Sequence, residues 1–279
     1  MSVATATESR VAIICLTRGY DSVEKYNTLI QRNVAIYNNI NVKRRWWPWP
    51  LLIFHEGNIL PAHQNYIRAL SGQQPIFFID ISVEFQKPQG FDETKEIDKR
   101  WPWGYKCMCR FFAGRFRHYV HEFDYTIRID EDCILRSWPQ EALGRPDALL
   151  QTCTLTHEVH EYANELLPKI TRNFLGFKNL EEKPDFYNHK FPFTNVWIIS
   201  KRLFEKPNVV QFLDFLEHFN FSLYYRIGDL PILGVVMNQF LEKDDFNLLT
   251  DVEYYHGSHF NTVKSTNLNT TSCKETDTS

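Results

Sequence analysis

The sequence contains no apolar run of the ~18 residues needed to cross a bilayer as a helix, which argues for a soluble protein. Its amino end, MSVATATES, has neither the basic start nor the apolar segment of a secretory signal, so a cytoplasmic location is expected. The cysteines Cys15, Cys107, Cys109, Cys133, Cys153 and Cys273 show no disulfide framework and no paired CxxC zinc spacing, which fits a reducing compartment. Strong charge of either sign is also missing. A net charge of −3 argues against general nucleic-acid binding. Lys43, Arg44 and Arg45 do cluster beside Trp46, Trp47 and Trp49, but that stretch reads more simply as a solvated loop with partly buried tryptophans. No internal repeat or linker interrupts the chain, so one continuous domain over 1–263 is expected. The Ser/Thr/Asn-rich stretch 264–279 reads as a disordered tail.

What is present is a globular composition, 43% hydrophobic and 15% aromatic, ample for a buried core. Val11 to Leu16 is a continuous apolar run that suits a strand buried on both faces. Ser22 can cap a helix to about Tyr37, with Tyr26, Leu29, Ile30, Val34 and Tyr37 at helical spacing. Leu51 to Phe54 reads as a strand, Pro61 to Leu70 as a helix, Ile76 to Ile81 as a strand and Tyr105 to Tyr119 as a helix. The second half mixes short strands (148–155, 196–199) with helices (209–218, 231–240). This alternation predicts an α/β fold with a mostly parallel sheet flanked by helices, in which ligands bind beyond the carboxyl ends of the strands. Arg18, just after the first strand, would lie on that edge.

The strand-like run YTIRI, from Tyr125, delivers Asp130, Glu131 and Asp132 to the same edge. An acidic triplet after a strand is more often a solvated turn than a site. Three adjacent carboxylates repel one another, however, and are at ease only in water or around a cation. Hard oxygen ligands suit Mg²⁺ or Mn²⁺, and such a metal can hold a diphosphate.

Three separated blocks resemble the fungal α-1,2-mannosyltransferases of glycosyltransferase family 15. They are GYKCMCRFFAG (104–114) followed by FDYTIRIDED, HFNFSLYYRIGDLPI (218–232) and DVEYYHGSHF (251–260). The resemblance implies a GT-A fold, a nucleotide-sugar donor, a glycan or glycoprotein acceptor and a divalent metal, usually Mn²⁺. Asp130 stands at the family's metal-binding Glu, Asp132 at its final acidic position and His256 at its second metal ligand. Imidazole suits Mn²⁺ better than Mg²⁺. Tyr105 and Arg110 match the motif on the nucleotide side, where Tyr can stack on a base and Arg can grip phosphate, and Arg18 is similarly placed to meet the nucleotide.

The resemblance breaks at one place. The family pattern has a Glu shortly after Ser-Asn, but in FPFTNVWIIS Asn195 is retained and Trp197 falls where the Glu should be. A retaining double displacement needs a carboxylate there, whereas inversion needs one base. Asp229, after Gly228 and before Leu230-Pro231, is the first choice of base, although Asp at a helix start is also an ordinary cap. Glu217 and Asp185 are reserves. The sequence therefore favours an inverting transferase using a UDP-sugar, with UDP-xylose and a β-xylosyl product as the specific expectation. The choice of xylose rests on analogy with a cytoplasmic glycan pathway such as that of a large algal virus, not on any residue that reads the sugar. The alternatives are a retaining GDP-mannose-dependent α-1,2-mannosyltransferase, and a non-catalytic glycan-binding protein using Trp46, Trp47, Trp101 and Trp103 as a platform.

Overall fold

The computed structural model describes residues 9–44, 47–139, 142–158, 160–184, 186–187 and 190–257, and the backbone of 261–264. Its strands are β1 (Val11–Thr17), β2 (Leu51–His55), β3 (Ile76–Asp80), β4 (Tyr125–Ile129), β5 (Cys133–Ser137) and β6 (Leu150–Thr152). Then come β7 (Leu155–Thr156), β8 (Phe191–Pro192), β9 (Val196–Ser200), β10 (Phe246–Leu248), β11 (Glu253–His256) and β12 (Asn261–Lys264). The helices are α1 (Asn27–Asn39), α2 (Pro61–Leu70), α3 (Trp103–Ala113), α4 (Glu161–Lys178), α5 (Pro207–His218), α6 (Phe221–Tyr225) and α7 (Asp229–Val235).

Seven strands form one sheet in the order β10-β6-β9-β4-β1-β2-β3. All pairings in it are parallel except those of β9, which runs antiparallel to both β4 and β6. The mostly parallel α/β sheet expected from the sequence is thus present. In β1 and β2 alternate side chains enter two different cores. Ala12, Ile14, Leu52 and Phe54 pack into a core that includes residues of α3, α5 and α7, whereas Val11, Ile13, Leu51 and Ile53 pack with Leu29, Ile30 and Ile36 of α1. Burial on both faces explains why these strands are continuously apolar.

Several boundaries differ from the sequence reading for physical reasons. Ser22 makes no side-chain cap, and a 3-10 turn over Val23–Tyr26 leads into α1. α3 stops at Ala113, and a 3-10 turn covers Arg115–His118. The apolar run past the acidic triplet is a separate strand, β5, which pairs with β11 in a second sheet. Asp130, Glu131 and Asp132 therefore form the turn that carries the chain from one sheet to the other. The tail beyond 264 lies outside the described residues, as do Trp46, Asp185 and His259.

Candidate functional site

β4 ends beside the start of β9, and these two termini build the floor of the site. The Asp130 N–H donates to the Asn195 carbonyl at 3.0 Å, and the Gly257 N–H donates to the Asp132 carbonyl at 3.1 Å. The acidic turn is thereby tied to the start of β9 on one side and the end of β11 on the other. From α1 the fully buried Arg32 donates through Nη2 to the Ile129 carbonyl at 2.6 Å and the Ile14 carbonyl at 3.3 Å, bracing β4 and β1 beneath the turn.

A cleft of about 390 Å³ opens above this floor, with Asp130, Glu131 and Asp132 along one side and Leu16, Tyr20, Met108 and Phe112 among its other walls. The Tyr20 hydroxyl donates to Glu131 Oε1 at 3.1 Å, and the Arg18 guanidinium lies 5.1 Å from the Tyr20 ring centre. Arg18 is thus an exposed side chain against Tyr20 and does not itself line the cleft. Gly19 permits this close loop. A Cβ there would stand 2.1 Å from the Asn58 carbonyl oxygen.

The side chains of Asp130, Asp132, Asn195 and His256 converge. His256 Nε2 is 3.4 Å from Asp132 Oδ1, and the Asn195 amide reaches His256 Nε2 at 2.8 Å and Asp130 Oδ2 at 3.3 Å. With its amide nitrogen facing a carboxylate, Asn195 donates to Asp130, and it donates to His256 as well in the imidazole tautomer that leaves Nε2 unprotonated. The residues fit a divalent cation: two carboxylates and an imidazole meet at one edge of the sheet. One expected detail differs. The compact group of donor atoms, all within 4.8 Å of one another, is Asp132, Cys133 and His256. Asp130 is instead drawn toward Arg128, whose Nε donates to Asp130 Oδ1 at 2.6 Å.

Arg128 is the residue that the sequence reading missed. It is almost fully buried, lies 3.6 Å from the Phe112 ring centre, and donates through Nη1 to Asp229 Oδ2 at 2.6 Å. One guanidinium therefore bridges Asp130 on the acidic turn and Asp229 at the start of α7. Burial opposes its charge, but the two carboxylates outweigh burial and raise its pKa. Burial raises the pKa of Asp130 against the pull of Arg128, and raises that of Glu131 against hydrogen bonds from Thr17 and Tyr20. The available signal was a lone arginine inside the apolar strand YTIRI, a placement that costs several kcal/mol unless the charge is paired.

Asp229 is 7% exposed and is the first residue of α7; Gly228, not Asp229, is the N-cap. The capping explanation for the aspartate is therefore replaced by the bond to Arg128. Trp197 is fully buried on β9, with its ring centre 5.2 Å from that of Phe116, and supplies no polar group to the cleft.

Two other candidates lie outside the cleft. Arg110 donates through Nη2 to Glu217 Oε1 at 2.8 Å, and Arg115 Nη1 reaches the same oxygen at 2.8 Å. Arg110 is thus tied between α3 and α5 and does not line the cleft, while Glu217 is engaged by two guanidinium groups. Tyr105 stacks on Trp101 with centres 4.7 Å apart, and its hydroxyl accepts from Arg226 Nη2 at 2.6 Å. It belongs to an aromatic and cationic group near Asp229, not to the cleft wall beside Glu131. Trp103, a second member of the supposed tryptophan platform, spends its indole N–H on the Phe85 carbonyl at 2.7 Å.

No family model matches the chain. It is similar to the glycolipid 2-alpha-mannosyltransferase of Saccharomyces cerevisiae, with 22% identity over 263 residues, covering 81% of this chain and 57% of that protein. The chain spans about half the length of the curated relatives it matches. Its fold is shared with the mannosyltransferase Ktr4p from S. cerevisiae in complex with GDP, at a TM-score of 0.74 and 14% identity, covering 89% of this chain and 71% of that one. It is shared also with core-mannan synthase A from Aspergillus fumigatus in an Mn/GDP form, at a TM-score of 0.75 and 14% identity, covering 91% and 76% of the two chains. The family 15 resemblance carried by the three sequence blocks thus extends to the overall fold. Neither the UDP-xylose donor nor the viral setting finds support among these likenesses, whose members are mannosyltransferases, two of them named with GDP.

Proposed function

We propose that this chain is a metal-dependent glycosyltransferase that moves mannose from GDP-mannose to a glycan acceptor with retention of configuration. The observation that carries this reading is the meeting of Asp130, Asp132, Asn195 and His256 at the carboxyl edge of a sheet shared with mannosyltransferases. A divalent ion held by Asp132 and His256, with Asp130 alongside, would supply the positive charge that a departing diphosphate needs.

GDP-mannose is α-linked, so an α-mannoside requires retention. A double displacement through the Trp197 position has no nucleophile, because an indole cannot attack the anomeric carbon. Half-buried Asp130 and buried Asp229 are both bonded to Arg128. A same-face displacement needs neither as a nucleophile. The bond from the anomeric carbon to the diphosphate oxygen breaks, the acceptor oxygen bonds on that face, and its proton passes to the departing diphosphate. Arg128 keeps Asp130 and Asp229 at fixed separation, which registers the donor edge of the site against α7. Asp229 then orients the acceptor hydroxyl.

The experiment is a screen of GDP-mannose, GDP-fucose, UDP-glucose and UDP-xylose for Mn²⁺-dependent turnover by the purified chain. Consumption of GDP-mannose is expected. Preference for UDP-xylose would overturn the donor assignment, and Asp132→Asn should abolish the turnover that is seen.

A further inference from the structure

Cys133 follows the acidic turn and opens β5, where it pairs in register with His256 of β11. Cross-strand partners project to the same face of a sheet, so thiol and imidazole lie side by side. The Cys133 thiol is fully buried, whereas Asp132 lines the cleft. The three donor atoms, a carboxylate oxygen, a sulfur and an imidazole nitrogen, lie within 4.8 Å of one another. A second feature marks the same place. Tyr254, two residues before His256 and on the same face of β11, carries a hydroxyl that is buried without a hydrogen-bond partner. Tyr254 belongs to the same buried core cluster as Cys133, and Cys153, Cys133, Asp130 and Asp132 act on its hydroxyl electrostatically.

Sulfur changes what such a centre prefers. Mn²⁺ and Mg²⁺ favour oxygen donors, whereas Zn²⁺ and Co²⁺ bind imidazole and thiolate together. We propose that Cys133 makes this centre selective for thiophilic divalent ions, and that Zn²⁺ held by Asp132, Cys133 and His256 is an inhibitory occupant. The inference rests on the metal-site reading given above. Zn²⁺ binding there displaces the thiol proton to solvent, leaving a thiolate on the metal. It draws the ion toward the core-facing sulfur and occupies the carboxylate and imidazole that Mn²⁺ needs.

The test uses the metal-free full chain with Zn²⁺, Co²⁺ and Mn²⁺ each added alone, and compares the wild type with Cys133→Val and Cys133→Ser. Zn²⁺ affinity is read by competition with a chromophoric chelator, and cobalt coordination by near-ultraviolet absorption. The wild type should show a sulfur-to-cobalt charge-transfer band that both variants lack, and Zn²⁺ affinity should fall at least about tenfold in the variants while Mn²⁺ affinity is kept. Persistence of the band in the variants, or equal losses for Zn²⁺ and Mn²⁺, overturns the role of Cys133. Binding of no metal by any of the proteins overturns the metal centre itself and this proposal with it. Serine is smaller and polar, so it carries the test if valine disturbs the core.

Discussion

Replacing Arg128 with methionine keeps most of the stem but removes the guanidinium that holds Asp130 and Asp229, each at 2.6 Å. Buried Asp229 and half-buried Asp130 then lose their counter-charge, and the contact with the Phe112 ring is lost as well. Breaking a buried ion pair from one side costs about 3–5 kcal/mol, a large part of the roughly 5–15 kcal/mol by which a domain is stable. Urea unfolding of Arg128→Met at pH 7 should show a loss in that range. The second substitution Asp229→Asn, made in the same chain, should recover part of it by removing one stranded charge. The pH dependence has a definite sign. Burial already raises the Asp130 pKa, and removing Arg128 raises it further, so the folded state takes up protons that the unfolded state does not. The variant should therefore lie closer to the wild type at pH 5 than at pH 7. A loss below about 1 kcal/mol, or one that does not change with pH, would refute the buried-bridge reasoning.

Glu217→Gln removes a charge shared by Arg110 and Arg115. It should cost on the order of 1 kcal/mol at this partly exposed site while leaving GDP affinity unchanged, as checked by calorimetry. A large loss of GDP affinity would return Arg110 to the nucleotide side. Asp132→Asn and His256→Gln should each weaken Mn²⁺ binding at least about tenfold, measured by titration without nucleotide. His55, His118 and His160 have pKa values lowered by burial from the ordinary 6.5, so the unfolded chain binds protons before the folded one does. The stability they lend is present above pH 6.5 and is lost as pH falls. Thermal melts should thus drop below that pH, and His55→Gln should flatten the drop.

The sequence made some elements legible because their physics is local. β1 and β2 are apolar without interruption because each is buried on two faces, and α2 begins at the proline that sequence reading places there. α4 escaped notice because Pro168, which lacks an N–H and normally ends a helix, lies inside it. The change of sheet after the acidic turn was hidden, because nothing local in CILRS says that it pairs with β11, more than a hundred residues away. The site divides in the same way. The acidic edge followed from charge repulsion, and His256 came from the family resemblance. The bond from Arg110 to Glu217 could not be read from the sequence, because the two lie 107 residues apart and only packing brings α3 against α5. The inversion expectation rested on the missing carboxylate at Trp197, and the xylose expectation on analogy with a viral glycan pathway. That absence speaks to the route of displacement, and no residue in the sequence reads the sugar.

The central claim is retention from GDP-mannose by a site without a carboxylate at position 197. It is tested most directly by proton NMR of the first product formed from GDP-mannose and a mannoside acceptor, with Mn²⁺ present. An α-linked mannosyl signal is expected. A β-linked product, or no product from GDP-mannose while UDP-xylose is consumed, would contradict it.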